Sequence, residues 1–455
     1  MTLSSSARRI VVGTTTGLLC ALAVVASGRA AVFGPDSFTL DNGMQVVVVS
    51  NHRAPVVTHM VWYRVGAMDE PPGRTGVAHL LEHLMFKGTD AYPDGAFSQI
   101  VARHGGRENA FTSQDYTGYF QSVAADRLEM MMQLEADRMT NLILSDEDIE
   151  TERQVVLEER RSRIENDPGS RLGEQANAAM YMNHPYRNPV IGWEHEIRAL
   201  TRDDLMRFYR DWYAPNNAIL VVVGDTTVDQ VRPMAEKYYG RIPARDLPTR
   251  IEWREPPAKA AQLVTLADPQ VRQPSWSRRY HAPSHVYGAT EHAYALEVLA
   301  DIMGGGATSR IYRRLVVEQK IAAGAGAWYN PSSRGPASFG FYATPLPGGD
   351  LASVESAIEG EIDRLLRDGV TDEEVARATA RLQAEAVYAR DSLRAPAQVL
   401  GASLVVGMTV DEIESWPERI GAVTAEAVNA AAREVLRSEA TVTTRLVPAP
   451  AGDGT

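Results

Sequence analysis

A proline-rich segment near the middle of the chain limits the folds that this sequence can adopt. Residues 242–259 contain Pro243, Pro248, Pro256 and Pro257, interspersed with charged side chains. Proline fixes the backbone angle φ and lacks the N–H donor, so this segment is unsuited to the interior of a helix or a sheet. We therefore predict an extended linker that divides the chain into two halves of about 200 residues, each long enough for its own core.

Similar patterns on the two sides of the linker indicate related halves. Residues 197–201, followed by a helical pattern and a buried strand at 219–223, are echoed by residues 420–424, a helical pattern and a strand at 441–447. Because strands and helices are mixed, each half is predicted to be an α/β or α+β domain. Tandem duplication explains the echo, and the alternative is that helix–strand units with a threonine N-cap recur by chance.

Overall composition and charge exclude some partners. The chain is 44% hydrophobic and 23% charged, which is typical of a folded globular protein. Its formal net charge is −12, so it offers no broad basic surface for contacts with phosphate groups. We therefore do not expect a nucleic acid as partner.

The first thirty residues have the layout of a secretory signal peptide. Arg8 and Arg9 precede an uncharged, mostly apolar run at 10–26, and small residues follow it at 27–30. The alternative is a retained membrane anchor, for which the run is short. Removal of 1–30 would take away the only cysteine, Cys20, which is compatible with an oxidising compartment. We predict a periplasmic or secreted protein with no stable membrane span after cleavage.

A short helical segment carries the residues with the clearest chemistry. The segment 75–88 is apolar around its polar residues, begins with Thr75 as a possible cap and ends at Gly88. Within it, His79, Glu82 and His83 stand at positions i, i+3 and i+4, on one face of a helix. Two imidazoles one turn apart can bind the same Zn²⁺, and a carboxylate between them can take a proton from water. The spacing is the inverted zinc-peptidase motif H-x-x-E-H. The alternative is a partly buried helix with two hydrogen-bonded histidines.

A second helix offers the third ligand that a catalytic zinc ion needs. This helix is predicted to begin near Ser145 and to continue past residue 159. Glu152 and Glu159 are seven residues apart and share a face, whereas Glu158 points about 100° away. An acidic helix face is usually only solvated, so the residues alone leave both interpretations open.

At this point the sequence resembles the pitrilysin (inverzincin) family of zinc metallopeptidases, which includes insulin-degrading enzyme and mitochondrial processing peptidase. The resemblance covers essentially the whole chain after the signal segment, most strongly in the first half. It rests on the order and separation of several motifs: HLLEHLMFKGT at 79–89, ERQVVLEERR at 152–161, and the segments 106–112, 184–187, 204–209, 212–217 and 224–225.

The resemblance implies a fold and a division into domains. The expected fold is α+β, with two related domains from a tandem duplication, each an antiparallel-rich sheet covered by helices and together forming half of a clamshell chamber. The expected boundaries are a signal peptide at 1–30, a zinc-bearing peptidase domain at 31–241, a linker at 242–262 and a related domain without a metal site at 263–455.

The resemblance also implies roles for the residues singled out above. His79, His83 and Glu159 are expected to bind one zinc ion per chain, and Glu82 is expected to be the general base. Glu152 matches an auxiliary catalytic carboxylate, which we expect to orient a histidine or the water.

Substrate binding is expected at a strand beside the metal. Asn109, Ala110 and Phe111 resemble the family's edge strand, to which a peptide adds as an extra strand through main-chain hydrogen bonds. This mode recognises the backbone more than the side chains, so it suits unfolded peptides of varied sequence. The alternative is an ordinary polar turn that leads into a strand.

The second half lacks residues that the family uses. An ungapped match places Glu297, Ala300 and Asp301 opposite the motif of the first half, so only that half is expected to bind zinc. Members of the family that act alone carry in their second half an Arg and a Tyr, seven residues apart, that hold the substrate. Those positions fall on Val316 and Ala323 here. The resemblance therefore implies a heterodimer with a related subunit that lacks zinc and supplies the pair.

A shift of that match would restore the pair within this chain, from Arg313 or Arg314 and Tyr329. Three functions remain open at this point. The first is a zinc endopeptidase that cleaves oligopeptides or unfolded segments. The second is a non-catalytic scaffold subunit of the same fold, for which a broken zinc motif would be expected. The third is a metal-binding chaperone that holds peptides without cutting them.

Overall fold

A computed structural model describes residues 32–449, apart from Asp94 and Leu393. The predicted signal peptide at 1–30 lies outside the described residues. Among the residues that are described, no helix is long and apolar enough to cross a membrane.

In the first half of the described chain, six strands form a sheet in the order β1-β2-β6-β3-β5-β4. The strands are β1 (Asp36–Thr39), β2 (Gln45–Ser50), β3 (Val56–Tyr63), β4 (Arg107–Thr112), β5 (Thr117–Ala124) and β6 (Ala218–Gly224). The helices are α1 (Val77–Leu84), α2 (Ala96–Arg103), α3 (Leu128–Asn141), α4 (Asp146–Arg160), α5 (Pro168–Met180), α6 (Glu194–Ala199), α7 (Arg202–Trp212) and α8 (Val228–Tyr238). A π-helical turn, Arg161–Glu165, continues α4.

In the second half of the described chain, five strands form a sheet in the order β7-β11-β8-β10-β9. The strands are β7 (Gln262–Asp268), β8 (Ser275–Ala282), β9 (Ala322–Tyr329), β10 (Ala337–Pro345) and β11 (Thr441–Pro448). The helices are α9 (Ala293–Gly304), α10 (Arg310–Tyr312), α11 (Leu351–Asp368), α12 (Asp372–Ala389), α13 (Ala395–Val406), α14 (Val410–Glu414), α15 (Trp416–Gly421) and α16 (Ala425–Val435). A π-helical turn, Arg313–Glu318, continues α10.

The two sheets share one topology. β2 pairs parallel with β6, and the other neighbours in the order β6-β3-β5-β4 are antiparallel. β7 likewise pairs parallel with β11, and the order β11-β8-β10-β9 is antiparallel. Taken in chain order, β2 to β6 therefore correspond to β7 to β11. The predicted α+β fold with two related, antiparallel-rich domains is confirmed.

Local signals placed several elements correctly. The apolar run Val56–Tyr63 forms β3, and its residues after Val56 are buried. Ser145 is the N-cap of α4 and forms a capping box with Asp148. Thr201 and Thr424, the threonines of the sequence echo, both cap helices that lead to a strand. Side-chain caps satisfy the free N–H groups of the first helical turn, which is why these starts are legible in sequence.

The main core of each half lies on one face of its sheet, and the two halves exchange one helix to cover the other faces. Helix α5 of the first half packs on β7 and β11, whereas α13 of the second half packs on β3 and β6. Leu400 and Leu404 of α13 join the buried cluster around Trp62 on the first sheet. Apolar sheet faces must be covered to be stable. Each half therefore depends on the other for part of its core.

Candidate metal centre

The start of helix α1 is fixed by two partly buried carboxylates. Glu70 accepts hydrogen bonds from the backbone N–H groups of Gly76 (3.1 Å) and Ala78 (2.9 Å). Gly76 is the N-cap with a φ of +85°, and a Cβ there would lie 2.7 Å from a backbone oxygen. The predicted Thr75 cap is therefore wrong, because the Thr75 hydroxyl instead donates to the second carboxylate, that of Glu196, at 2.7 Å. These carboxylates satisfy N–H groups that the helix itself leaves unpaired.

The structure brings the three predicted metal ligands together. Glu159 of α4 places Oε2 3.7 Å from Nε2 of His79 and 3.4 Å from Nε2 of His83, both on α1. Ligand atoms bound to a tetrahedral zinc ion at about 2.0–2.2 Å stand about 3.4 Å apart, so this set fits zinc. Among the described residues, this is the group of His, Cys, Asp or Glu side chains arranged to hold a metal ion.

Glu152 lies within hydrogen-bond distance of one of the histidines. Its Oε2 lies 3.3 Å from Nδ1 of His83, and its Oε1 lies 2.9 Å from Nζ of Lys87. A hydrogen bond from Nδ1–H leaves Nε2 with its lone pair toward the metal position. Sequence reasoning singled out Glu152 but missed Lys87, although Lys87 follows His83 by four residues, the spacing of neighbours on a helix.

The two histidines differ in electrostatic environment. Burial, together with the charge of His83, lowers the pKa of His79 to about 4. Burial acts against the charged form of His83 too, but hydrogen bonds to Glu152 and Glu159 outweigh it and raise the pKa of His83 to about 9. A cation that binds both imidazoles must therefore compete with a proton on His83, so its affinity is expected to fall in acid.

Glu82 is the buried carboxylate beside these ligands. It is 8% exposed, and its Oε2 accepts a hydrogen bond of 2.6 Å from the Thr112 hydroxyl. Burial raises the pKa of Glu82, and the bond from Thr112 partly opposes this shift. A carboxylate with a raised pKa is a better proton acceptor at neutral pH than an exposed one.

Strand β4 borders the same site. It ends the first sheet, and no strand lies beyond it in the described part of the chain. A cavity of about 710 Å³ is lined by His79, Glu82, His83, Glu159 and β4 residues 109–112. The predicted edge-strand residues therefore lie on the metal-centre cavity, as do Arg163, Glu174, Asn177 and Arg187.

Two of these neighbours were not found from sequence. Arg163, in the π-helical turn after α4, places Nη1 2.6 Å from Oε1 of Glu159, the oxygen that does not face the histidines. Its spacing of four residues from Glu159 was the available signal. Thr112 was part of a motif, but its contact with Glu82 joins a strand to a helix and has no sequence periodicity.

At the equivalent position, the second half has an ion pair instead. Asp301 of α9 pairs with Arg381 of α12, and Glu297 accepts a hydrogen bond of 3.1 Å from Trp416 Nε1. Among the described residues, this half provides no group that could hold a metal ion. The polar side chains at this position are therefore paired with one another by an ion pair and a hydrogen bond.

A buried polar network joins the two halves behind the cavity. Arg334 of the second half places Nη1 3.0 Å from Oδ2 of Asp69, and its backbone N–H donates to Asp115 at 3.3 Å. Tyr186 donates its hydroxyl proton to Asp115 at 2.5 Å. Burial raises the pKa of Asp115 to about 6. The loop between β4 and β5, which contains Asp115, is thus fixed from the other half.

The fold and ligand set define a class: a two-domain α+β protein with an inverted zinc motif on one domain only. Comparison with family models agrees with this description. Residues 45–194 match the model described as insulinase (peptidase family M16), and residues 199–382 match the model described as peptidase M16 inactive domain. The chain belongs to peptidase family M16, and the predicted pitrilysin-family membership is confirmed.

Relatives support a peptidase of this family. The chain is 32% identical to the zinc protease PqqE of Helicobacter pylori, over 75% of this chain and 76% of that protein. It is 26% identical to the probable mitochondrial-processing peptidase subunit beta of Schizosaccharomyces pombe, over 88% of each chain. A crystal structure of a protease from Helicobacter pylori superposes with a TM-score of 0.85 at 28% identity, covering 91% of this chain and 99% of that one.

Proposed function

We propose that this protein is a zinc-dependent endopeptidase that hydrolyses oligopeptides or unfolded polypeptide segments. One observation carries the proposal: the ligand atoms of His79, His83 and Glu159 converge beside the buried carboxylate of Glu82, in a cavity that also exposes an edge strand. The scaffold alternative predicts a broken zinc motif, but the ligand set and the base are both intact.

The residues divide the chemistry among them. A zinc ion held by His79, His83 and Glu159 supplies Lewis-acid activation of water and of the scissile carbonyl. Glu82 accepts the proton of the attacking water and delivers it to the leaving amine. The Thr112 hydroxyl fixes the rotamer of Glu82.

Substrate is held through the main chain of β4. The free edge of this strand can pair with an extended peptide, which places the peptide backbone beside Glu82. The ring of Phe111 packs 5.0 Å from that of Trp62, in the cluster between the first sheet and α13. Phe111 therefore anchors the strand, and its contribution to binding is through its backbone. Asn109 and Ala110 complete the bordering segment.

We further propose that the chain is the catalytic subunit of a heterodimer. Val316 is half-buried against the second core and Ala323 is on β9, so neither position carries a charged or phenolic group. The alternative pair is engaged elsewhere, because Arg314 forms an ion pair with Glu318 and the Tyr329 hydroxyl donates to a backbone oxygen at 2.6 Å. A related subunit would supply the Arg/Tyr pair and close the chamber. A relative that is named as a subunit supports this proposal.

The remaining proposals concern processing and domain limits. We propose that 1–30 directs export to the periplasm or the outside of the cell. We propose further that 31–241 is the metal-bearing domain, 242–262 the linker and 263–455 the related domain without metal.

The experiment that tests the enzyme proposal is cleavage of a quenched, unstructured peptide by the purified chain, with and without a chelator. Glu82→Gln should lower turnover by about 100- to 10,000-fold, because it removes the general base. Bound zinc should stay at one ion per chain. Glu158→Gln is the matched control. Glu158 is on α4, next to the ligand Glu159, but it is 64% exposed and pairs with Arg161.

The outcomes separate the alternatives. Turnover by the single chain that both the chelator and Glu82→Gln abolish would establish the enzyme and refute the need for a partner. Unchanged turnover in Glu82→Gln would refute the assigned base. A folded, zinc-loaded chain that is silent alone but active with a subunit carrying the Arg/Tyr pair would support the heterodimer, and silence with that subunit would favour the scaffold.

A further inference from the structure

The metal-centre cavity contains a cation that has no carboxylate partner. Of the two arginines among its lining residues, Arg163 is paired with Glu159 at 2.6 Å. Arg187 has no carboxylate within 4.0 Å in the described part of the chain, and its Nη1 donates only to the backbone oxygen of Met182, at 3.1 Å. Its positive charge is therefore not neutralised by this chain.

Glu174, another carboxylate on the cavity wall, does not neutralise the charge of Arg187. Glu174 accepts two hydrogen bonds from Arg160, at 2.8 and 3.0 Å. This bidentate arrangement uses both oxygens and fixes the carboxylate. Arg187 is therefore a charged group of the cavity lining that no described carboxylate neutralises.

Arg187 is also held at a fixed place. The side chain before it, Tyr186, is buried and bonded to Asp115, and the backbone oxygen after it, on Asn188, accepts from the Gln114 amide at 2.8 Å. The guanidinium is exposed on a backbone that is tied on both sides. An anion bound there would not have to order the backbone, which lowers the entropic cost of binding.

A second unpaired arginine adjoins the same wall from the other half. Nη1 of Arg279 on β8 donates at 2.7 Å to Asn177, which lines the cavity. Its Nε is buried without a hydrogen-bond partner, and no carboxylate lies within 4.0 Å among the described residues. Burial lowers the pKa of Arg279. The guanidinium carbon of Arg279 lies 5.9 Å from the centre of the Trp328 ring, but no described carboxylate offsets the cost of burying its charge.

The carboxylate nearest in this region is already engaged. Glu255 of the linker accepts hydrogen bonds from the backbone N–H groups of Met182, Asn183 and His184, at 3.1 Å for Asn183 and 2.7 Å for His184. It therefore holds the segment that leads to Arg187 and does not pair with either arginine.

We propose that Arg187 forms a carboxylate-binding site beside the metal centre, with Arg279 adding positive charge behind Asn177, and that this site selects peptides that carry an acidic side chain or a free C-terminal carboxylate. The inference rests on the proposed peptidase function and names a substrate class for it. A carboxylate in the cavity would meet Arg187 directly, and Asn177 links the cavity wall to Arg279. Arginine is suited to this role because its planar fork matches a carboxylate.

The test measures peptide binding to the zinc-loaded Glu82→Gln chain, so it does not require turnover. Three fluorescent peptides differ only in carboxylate content: an amidated peptide with Gln near its middle, its Gln→Glu counterpart, and the Gln peptide with a free C-terminus. We expect one of the acidic peptides to bind about fivefold more tightly than the amidated Gln peptide. The acidic peptide that gains affinity identifies the source of the carboxylate.

Variants locate the site. Adding Arg187→Gln should remove the preference, and Arg187→Lys should restore part of it. Adding Arg279→Gln should reduce the preference and leave the thermal midpoint unchanged or higher, because an unpaired half-buried charge is removed. Arg161→Gln is the control, since Arg161 pairs with Glu158 away from the cavity.

Three results would overturn the proposal: equal binding of all peptides, no binding of any peptide, or a preference that survives Arg187→Gln. Loss of the preference in Arg161→Gln would also overturn it, because the cause would then be the general field of the surface. A chain that prefers acidic peptides but does not cleave them would leave the binding site standing and refute the peptidase function.

Discussion

The two halves share a sheet topology but differ at the helix that carries the metal ligands. In the first half, His83 of α1 meets Glu159 of α4 across the metal position. In the second half, Asp301 of α9 meets Arg381 of α12. Both pairs join the helix that follows corresponding strands, β3 and β8, to a later helix packed beside it. The architecture therefore requires that buried polar groups be satisfied at this contact, and either a cation site or an ion pair meets that requirement.

The halves also differ in what surrounds a glycine on each exchanged helix. On α13, a Cβ at Gly401 would lie 2.0 Å from the ring of Trp62. On α5, a Cβ at Gly173 would meet nothing within 4 Å. The first sheet is therefore sealed closely by the second half, whereas α5 faces the metal-centre cavity and leaves space there.

The largest effect is expected from giving α1 the residue of α9. His83→Asp removes one imidazole from the ligand set, so bound zinc should fall well below one ion per chain. Turnover should fall by about 1000-fold or more, which corresponds to several kcal/mol of lost activation. Metal analysis and peptide cleavage measure the two effects.

A change at the corresponding position of the second half should affect only stability. Asp301→Asn breaks the ion pair with Arg381 and should lower the free energy of unfolding by about 1–3 kcal/mol. Zinc content and turnover of the folded protein should be unchanged. Loss of zinc in Asp301→Asn would show that the second half does take part in the metal site.

The next effect tests the exchanged helices. Gly401→Ala should lower the free energy of unfolding by about 3 kcal/mol, because the new methyl group overlaps Trp62, which is 2% exposed. Gly173→Ala should instead raise it by about 0.5–1 kcal/mol, since alanine favours the helix and the site is open. Urea denaturation compares the two variants. Equal effects would mean that α5 and α13 pack alike in solution.

Most of the architecture was predictable because its signals are local. The cap at Ser145 and the apolar run of β3 lie within one element, and the motif of α1 is a spacing on a single helix. The ligand Glu159, by contrast, was chosen through the family resemblance, because an acidic helix face alone does not distinguish a ligand from a solvated residue.

The features that sequence reasoning missed depend on contacts between distant segments. Arg334 reaches Asp69 across 265 positions, and nothing in the pattern around either residue indicates this pair. The exchange of α5 and α13 was missed for the same reason. The Thr75 cap was predicted wrongly because Glu70, which lies outside the helix, accepts the N–H groups at its start, and Glu196 accepts the Thr75 hydroxyl.

The last effect depends on pH and tests whether the two halves unfold as one unit through the network around Asp115. The pKa of this carboxyl is raised to about 6 in the folded protein, above its ordinary value of 3.8, so the folded state binds more protons between these pH values. The free energy of unfolding should therefore fall as the pH rises through this range, by about 2 kcal/mol between pH 4.5 and 7.5.

The variant Asp115→Asn removes this titration. Its free energy of unfolding, relative to that of the unmodified chain, should therefore rise by the same amount over the same pH range. Asp126→Asn is the control, because Asp126 is 67% exposed and takes no part in the network around Asp115. A flat difference for Asp115→Asn as well would mean that the interface between the halves opens before the rest of the chain unfolds.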